Sequence, residues 1–203
     1  MALLEQRNAS AFLVTSVLIL ASLVVPVGLE PLTDLSWVSG LVLIALAVVS
    51  VAAGLVGLYP RVNNRTPKLA LAGVGAATVA GVAALGLVGL TGVAVWNEFD
   101  FGLIVANPMR VFMLVGLLIA GGFSLSLLLF GAAVWKTESS SRTVGGLLIV
   151  GGGALLAPVA VELLGLLFEV NAPAWLLFPV IGGLALDTAA VGYSLRIQRT
   201  SSK

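Results

Sequence analysis

The chain has 203 residues, of which 60% are hydrophobic and 9% are charged, and its formal net charge is +1. A soluble domain carries about 25% charged residues, so a chain of this composition exposes most of its surface to lipid. It contains no cysteine and no histidine, which excludes disulfides, thiol nucleophiles, iron–sulfur clusters, ordinary haem ligation, histidine-based zinc sites and histidine-assisted serine nucleophiles.

Six apolar runs follow one another along the chain, each long enough to cross about 30 Å of hydrocarbon. They cover residues 9–28, 35–58, 69–95, 111–135, 144–168 and 175–195. Each run should form a helix, because lipid offers no hydrogen-bond partner to an open backbone. The connections are short, so we predict an all-α integral membrane protein, with one domain of six transmembrane helices over residues 1–203. The first run exceeds the apolar core of a signal peptide and lacks a small-residue cleavage site, so we expect it to be retained.

Basic residues are unevenly divided between the two sides of the predicted bundle. One side, which also holds both termini, receives Arg7, Arg61, Arg65, Lys68, Lys136, Arg142, Arg196, Arg199 and Lys203, and the other receives only Arg110. Cytoplasmic connections are enriched in Lys and Arg. We therefore predict a multi-pass protein of the cell membrane with both termini in the cytoplasm.

Three span ends on the basic side share an interfacial aromatic residue, five or six further residues and then Arg-Thr. These segments run from Tyr59 to Thr66, from Trp135 to Thr143 and from Tyr193 to Thr200. The pattern predicts duplicated helical hairpins, such as occur in transporter folds. The alternative is convergence, because every such interface favours an aromatic residue, an arginine and a polar turn.

Small residues recur at four-residue spacing along the third and fourth spans. Such faces let helix backbones approach closely in lipid, so they predict packing inside the bundle, with contact between subunits as the alternative. The residues are Ala72, Ala76, Ala80, Ala84, Gly116, Ala120 and Ser124, together with Gly183 on the same helix face as Asp187.

Two acidic residues, Glu162 and Asp187, fall inside predicted spans. A charge at the bilayer centre costs at least about 2.5–3.5 kcal/mol, so such residues face the bundle interior or a wet cavity. Pro158 lacks an N–H and leaves the carbonyl of Ala154 without its helical partner, one turn from Glu162. Asp187, Glu162, Ala154 and Pro158 therefore form a candidate proton or cation site.

The alternative for the two acids is structural: protonated carboxyls that bridge helices by hydrogen bonds. Counting residues from the predicted outer ends of the two helices places Glu162 and Asp187 about 8 Å apart along the membrane normal. Direct pairing of the two carboxyls is therefore not expected, and a bridging water, an ion or separate roles would be needed.

The spans contain few other polar residues, which disfavours a carrier of sugars or amino acids, since each polar substrate group must replace its water. The sequence shows no nucleophile beside a base and no metal-binding cluster, so we expect neither an enzyme nor a cofactor or metal site. We predict an accessory or scaffold subunit of a membrane complex, whose partners are lipid and another membrane subunit or a second copy, and not nucleic acid. The alternative is a small proton- or cation-translocating transporter or channel.

Overall fold

The computed structural model describes residues 2–29, 36–96, 108–137, 142–168 and 177–200. Within these ranges the chain forms α-helices and a single tight turn, and no strand. The helices are α1 (Ala2–Leu29), α2 (Ser36–Asn63), α3 (Pro67–Trp96), α4 (Pro108–Thr137), α5 (Arg142–Phe168) and α6 (Leu177–Thr200). The predicted all-α membrane fold is confirmed.

Five of these helices contain a stretch that is long and apolar enough to cross a membrane. The stretches are Asn8–Pro26, Val38–Pro60, Pro67–Val93, Leu114–Thr137 and Val180–Ile197. In α5 the apolar stretch whose side chains are described is Arg142–Ala157, which is shorter than a span. The chain is therefore a polytopic membrane protein, and the crossing expected over 144–168 stays a prediction.

The helices pack side by side in chain order. Each contacts its neighbours in sequence, α6 packs against α1, and α2 also touches α4. All six helices contribute to one cluster of buried apolar side chains, whose fully buried members include Phe12, Val51, Leu55, Leu127, Phe130, Leu148 and Val191. The bundle is thus a closed ring of helices around an apolar interior.

Glycine permits the closest contacts between α4 and α5. A Cβ added to Gly145 would lie 2.8 Å from the backbone nitrogen of Trp135, and one added to Gly131 would lie 2.9 Å from the carbonyl oxygen of Gly145. At such separations the two backbones touch, which is how helices gain packing energy in lipid.

Helix α1 also packs closely against glycines, on one side in α2 and on the other in α6. The side chain of Asn8 occupies the space where a Cβ of Gly57 in α2 would stand. On the other side, a Cβ on Gly192 of α6 would lie 2.9 Å from Cγ of Leu13. Close glycine contacts therefore hold the first helix against both the second and the last.

The tight turn between α2 and α3 lies at the end of the bundle where α4 ends and α5 begins. The carbonyl oxygen of Val62 accepts the backbone N–H of Arg65 at 3.3 Å and that of Thr66 at 2.9 Å. We call this end the basic end, because its exposed side chains include Arg65, Lys68, Lys136, Arg142 and Arg196.

Candidate functional site

Asp187 is the acidic residue inside the five candidate spans. It lies in α6 and its side chain is half-buried. Its Oδ2 atom is buried and has no hydrogen-bond partner, the only side-chain polar atom in this condition among the described residues. Buried polar atoms in native proteins are nearly always hydrogen-bonded, so this oxygen is an exception among the described residues.

The Asp187 carboxyl packs directly against the backbone of α5 at Gly151. A Cβ on Gly151 would overlap Oδ2 and would lie 3.1 Å from Cγ of Asp187 and 3.8 Å from Cδ1 of Leu127. Gly151 thus makes room for the acid by having no side chain, and Leu127 of α4 borders the same space. The site lies where α4, α5 and α6 meet.

Hydroxyl groups close to this junction are bonded elsewhere. Thr188, the next residue along α6, donates to the carbonyl oxygens of Leu184 at 2.9 Å and Ala185 at 3.0 Å. Ser124 of α4 donates to the carbonyl oxygen of Gly152 at 2.6 Å. Both hydroxyls donate to backbone carbonyls, and neither is a hydrogen-bond partner of Asp187 Oδ2.

The other members of the predicted proton or cation site all lie on α5, the helix that contains Gly151. Glu162 lies eleven residues beyond Gly151 in α5, which is about 16 Å along the helix axis. Because the Glu162 side chain is not among the described ones, the expected relation of the two carboxyls stays a prediction.

Ala154 is exposed, and α5 continues as a helix through Pro158. The side chains of Pro158 and Glu162 lie outside the described part of the chain. The predicted free carbonyl and its ligand therefore stay a prediction.

The predicted packing residues divide into two groups. Toward α4, Ala80 and Ala84 of α3 are buried, and a Cβ on Gly122 would lie 3.1 Å from the carbonyl oxygen of Ala76. Ser124 is fully buried between α4 and α5, and Ala120 is half-buried.

Three residues differ from the expected internal packing. Ala72 and Gly183 are exposed, and a Cβ on Gly116 or Gly183 would meet nothing within 4 Å. The four-residue spacing identified a small-residue face in each case. The spacing within one helix does not show which of its sides faces a neighbouring helix. In α3, for example, small residues lie on both sides.

Two glycines of α2 that make close contacts were not identified from the sequence. Gly54 and Gly57 receive Phe12 and Asn8 of α1. In α5, glycines 145, 146 and 151–153 were expected to pack closely, and Gly151 receives Asp187. The three-residue spacing of Gly54 and Gly57 in an otherwise Val- and Leu-rich span was an available signal for a packing face. Nothing in the sequence indicated that Gly151 was the partner of Asp187.

No group of three or more His, Cys, Asp or Glu side chains that could hold a metal ion occurs within the described ranges. Comparison of the chain with protein-family models, with curated proteins and with solved structures gives no match. The candidate site is therefore defined by its own geometry, as a half-buried carboxyl in α6 that packs against α5 beside α4.

Proposed function

We propose that this polytopic membrane protein is a non-enzymatic subunit of a membrane complex, in which its helix bundle supports a partner inside the bilayer. The observation that carries the proposal is the way in which buried polar groups are used. The described hydroxyls donate to backbone carbonyls of their own helix or of a neighbouring one.

Several buried hydroxyls bond to the carbonyl one turn earlier in their own helix. Ser22 donates to Ile19 at 2.7 Å, Thr91 to Leu87 at 2.9 Å and Ser126 to Phe123 at 2.8 Å. Others join two helices, as when Ser50 of α2 donates to the carbonyl oxygen of Ala11 at 2.9 Å. A polar solute would need such groups free to replace its water, so their use inside the bundle supports a structural role.

Glycines on the outer face of α3 support contact with another membrane protein. A Cβ on Gly75, Gly86, Gly89 or Gly92 would meet nothing within 4 Å. Glycine lowers helix stability by about 1 kcal/mol relative to alanine, and no contact within the described part of this chain uses the space. A partner helix could approach closely there. In this proposal the basic end faces the cytoplasm and the membrane is the cell membrane.

The proposal is tested by gentle extraction of the tagged protein from its native membrane and measurement of the intact mass and composition of the complex. We expect a foreign subunit in fixed stoichiometry. Gly86→Leu with Gly89→Leu should release it, because leucine fills the space that the partner helix would enter.

The matched control is Gly183→Leu, which also fills open space on an exposed helix face but lies on α6. It should leave the complex intact. A monomer or a homo-oligomer from native membranes would overturn the proposal, and so would equal loss of the partner from both variants.

The second candidate function is proton or cation translocation, and the unpartnered Oδ2 of Asp187 favours it. A buried polar atom without a partner costs about 1–3 kcal/mol, and intramembrane acids are concentrated on ion pathways. A translocating role would account for an acid that the packing of α5 and α6 does not require.

Asp187→Asn separates this candidate from a structural role. If Asp187 translocates ions, the unmodified protein should support proton or sodium flux into proteoliposomes. The variant should fold at normal yield but show no such flux. If the carboxyl only fills space, asparagine of almost equal size should change neither stability nor flux. Flux retained by the variant, or absent from the unmodified protein, excludes the translocating role.

A further inference from the structure

Four basic residues lie at two neighbouring connections of the basic end, the α2–α3 turn and the α4–α5 connection. Arg65, in the turn between α2 and α3, donates a hydrogen bond through Nη1 to the carbonyl oxygen of Thr137, the last residue of α4. This bond fixes the α2–α3 turn against the end of α4. It also places the guanidinium at the residue that follows Lys136 in the chain.

Lys68 and Arg142 flank this pair at the starts of α3 and α5. Lys68 is the second residue of α3 and Arg142 the first residue of α5. The first turn of α5 packs on α4, because a Cβ on Gly146 would lie 3.1 Å from Cζ3 of Trp135. Residues four apart share one face of a helix, so Arg142 lies on the side of α5 that faces the end of α4.

The charge of this group is not balanced by any described acidic side chain. Arg65, Lys68, Lys136 and Arg142 are all exposed, and the described acid, Asp187, lies inside a span. Glu138, which follows α4, lies outside the described residues.

We propose that Arg65, Lys68, Lys136 and Arg142 bind the headgroup of an anionic phospholipid. The Arg65 guanidinium has five N–H donors and uses one group at Thr137, so the others can bind a phosphate oxygen in the planar geometry that arginine favours. Basic residues at the cytoplasmic ends of membrane helices attract anionic lipid by about 1 kcal/mol each.

The surroundings of the basic group favour a lipid over a soluble anion. Half-exposed Trp135 lies next to Lys136, and exposed Leu71 lies one turn beyond Lys68 on the same side of α3. Tryptophan of this kind is typical of the headgroup level of a membrane. The occupant must therefore combine an anionic headgroup at the helix ends with apolar chains along the lipid-facing sides of α3 and α4.

The test is native mass spectrometry of the full chain in detergent with phosphatidylglycerol or phosphatidylcholine at equal concentration. We expect phosphatidylglycerol to stay bound preferentially. Arg65→Gln with Lys136→Gln should weaken its binding about fivefold for each charge removed, the equivalent of about 1 kcal/mol. Lys136→Gln alone, which leaves the Arg65 bond to Thr137 in place, should show the single-charge loss in a protein of unchanged thermal stability.

Arg196→Gln is the matched control, because it removes one exposed positive charge from the same end of the bundle but on α6. It should weaken binding less than twofold. Equal binding of the two lipids, or an equal loss from Arg196→Gln and Lys136→Gln, would overturn the site in favour of diffuse attraction. Displacement of the bound lipid by millimolar glycerol phosphate would also overturn it, by showing that a soluble phosphate suffices.

Discussion

Ser124 and Ser126 lie two residues apart in α4 and are both buried, but their hydroxyls bond to different helices. Ser124 donates to the carbonyl oxygen of Gly152 in α5 at 2.6 Å, whereas Ser126 donates to Phe123 in its own helix at 2.8 Å. Only the first bond is broken when the helices separate. The two residues therefore provide a direct measure of what an interhelical hydrogen bond contributes here.

We expect Ser124→Ala to destabilise the protein by about 0.6 kcal/mol, and by no more than about 1.7 kcal/mol, the range for hydrogen bonds between membrane helices. Ser126→Ala should change stability less, because its bond persists in a separated helix. The measurement is unfolding in detergent followed by circular dichroism. If Ser126→Ala lowers the free energy of unfolding as much as Ser124→Ala does, the interhelical bond to Gly152 contributes no more than a bond within one helix.

The sequence identified Asp187 as a candidate site residue but did not identify the residues that surround it. An acid in an apolar span is visible from composition alone, because its burial is costly. Its neighbour Gly151 depends on how far α6 is shifted along α5, and residue spacing within one helix contains no information on that shift.

Among the elements, α4 and α5 are joined by backbone contact at glycine. The nearest atoms to a Cβ on Gly145 belong to the backbones of Trp135 and Gly131, at 2.8 and 2.9 Å. Backbone atoms cannot rotate aside as the end of a side chain can. A methyl group at this position must therefore push the two helices apart.

Gly145→Ala should destabilise the bundle by about 1–3 kcal/mol, the usual cost of overpacking. Gly75→Ala is the matched control, since the same change on the open face of α3 meets nothing within 4 Å. It should be neutral or stabilising, because alanine is the better helix former. The measurement is thermal unfolding of both variants in the same detergent. Equal unfolding midpoints would contradict the close α4–α5 contact.

Helix number and type followed from the apolar runs, because lipid allows a spanning segment no other backbone structure. The ends of the helices did not follow as well. Helix α1 begins at Ala2 and α2 continues past Pro60 to Asn63, where apolar runs of 9–28 and 35–58 were expected. Hydropathy locates the part of a helix that lies in hydrocarbon, whereas backbone hydrogen bonding continues into the polar boundary.

For the whole molecule, the contact between α1 and α6 closes the ring of helices. It joins the two ends of the described chain, and no apolar run in the sequence predicts it. Gly192 of α6 contacts Leu13 and the carbonyl oxygen of Ala9, which a Cβ would meet at 2.9 and 3.0 Å. The predicted hairpin duplication does not bear on this closure. The duplication itself stays a prediction.

Closure can be tested by cross-linking, since the chain has no cysteine of its own. Leu13→Cys with Gly192→Cys places two thiols at the α1–α6 contact, where their Cβ atoms should approach the 3.5–4.5 Å that a disulfide requires. Mild oxidation in the membrane should join them within one chain, visible as a monomer of altered mobility that reverts on reduction. Leu13→Cys with Gly183→Cys is the control, because the second thiol moves about 13 Å along α6 and should not react. Cross-linked dimers from the first pair would show instead that α6 closes on the α1 of a second copy.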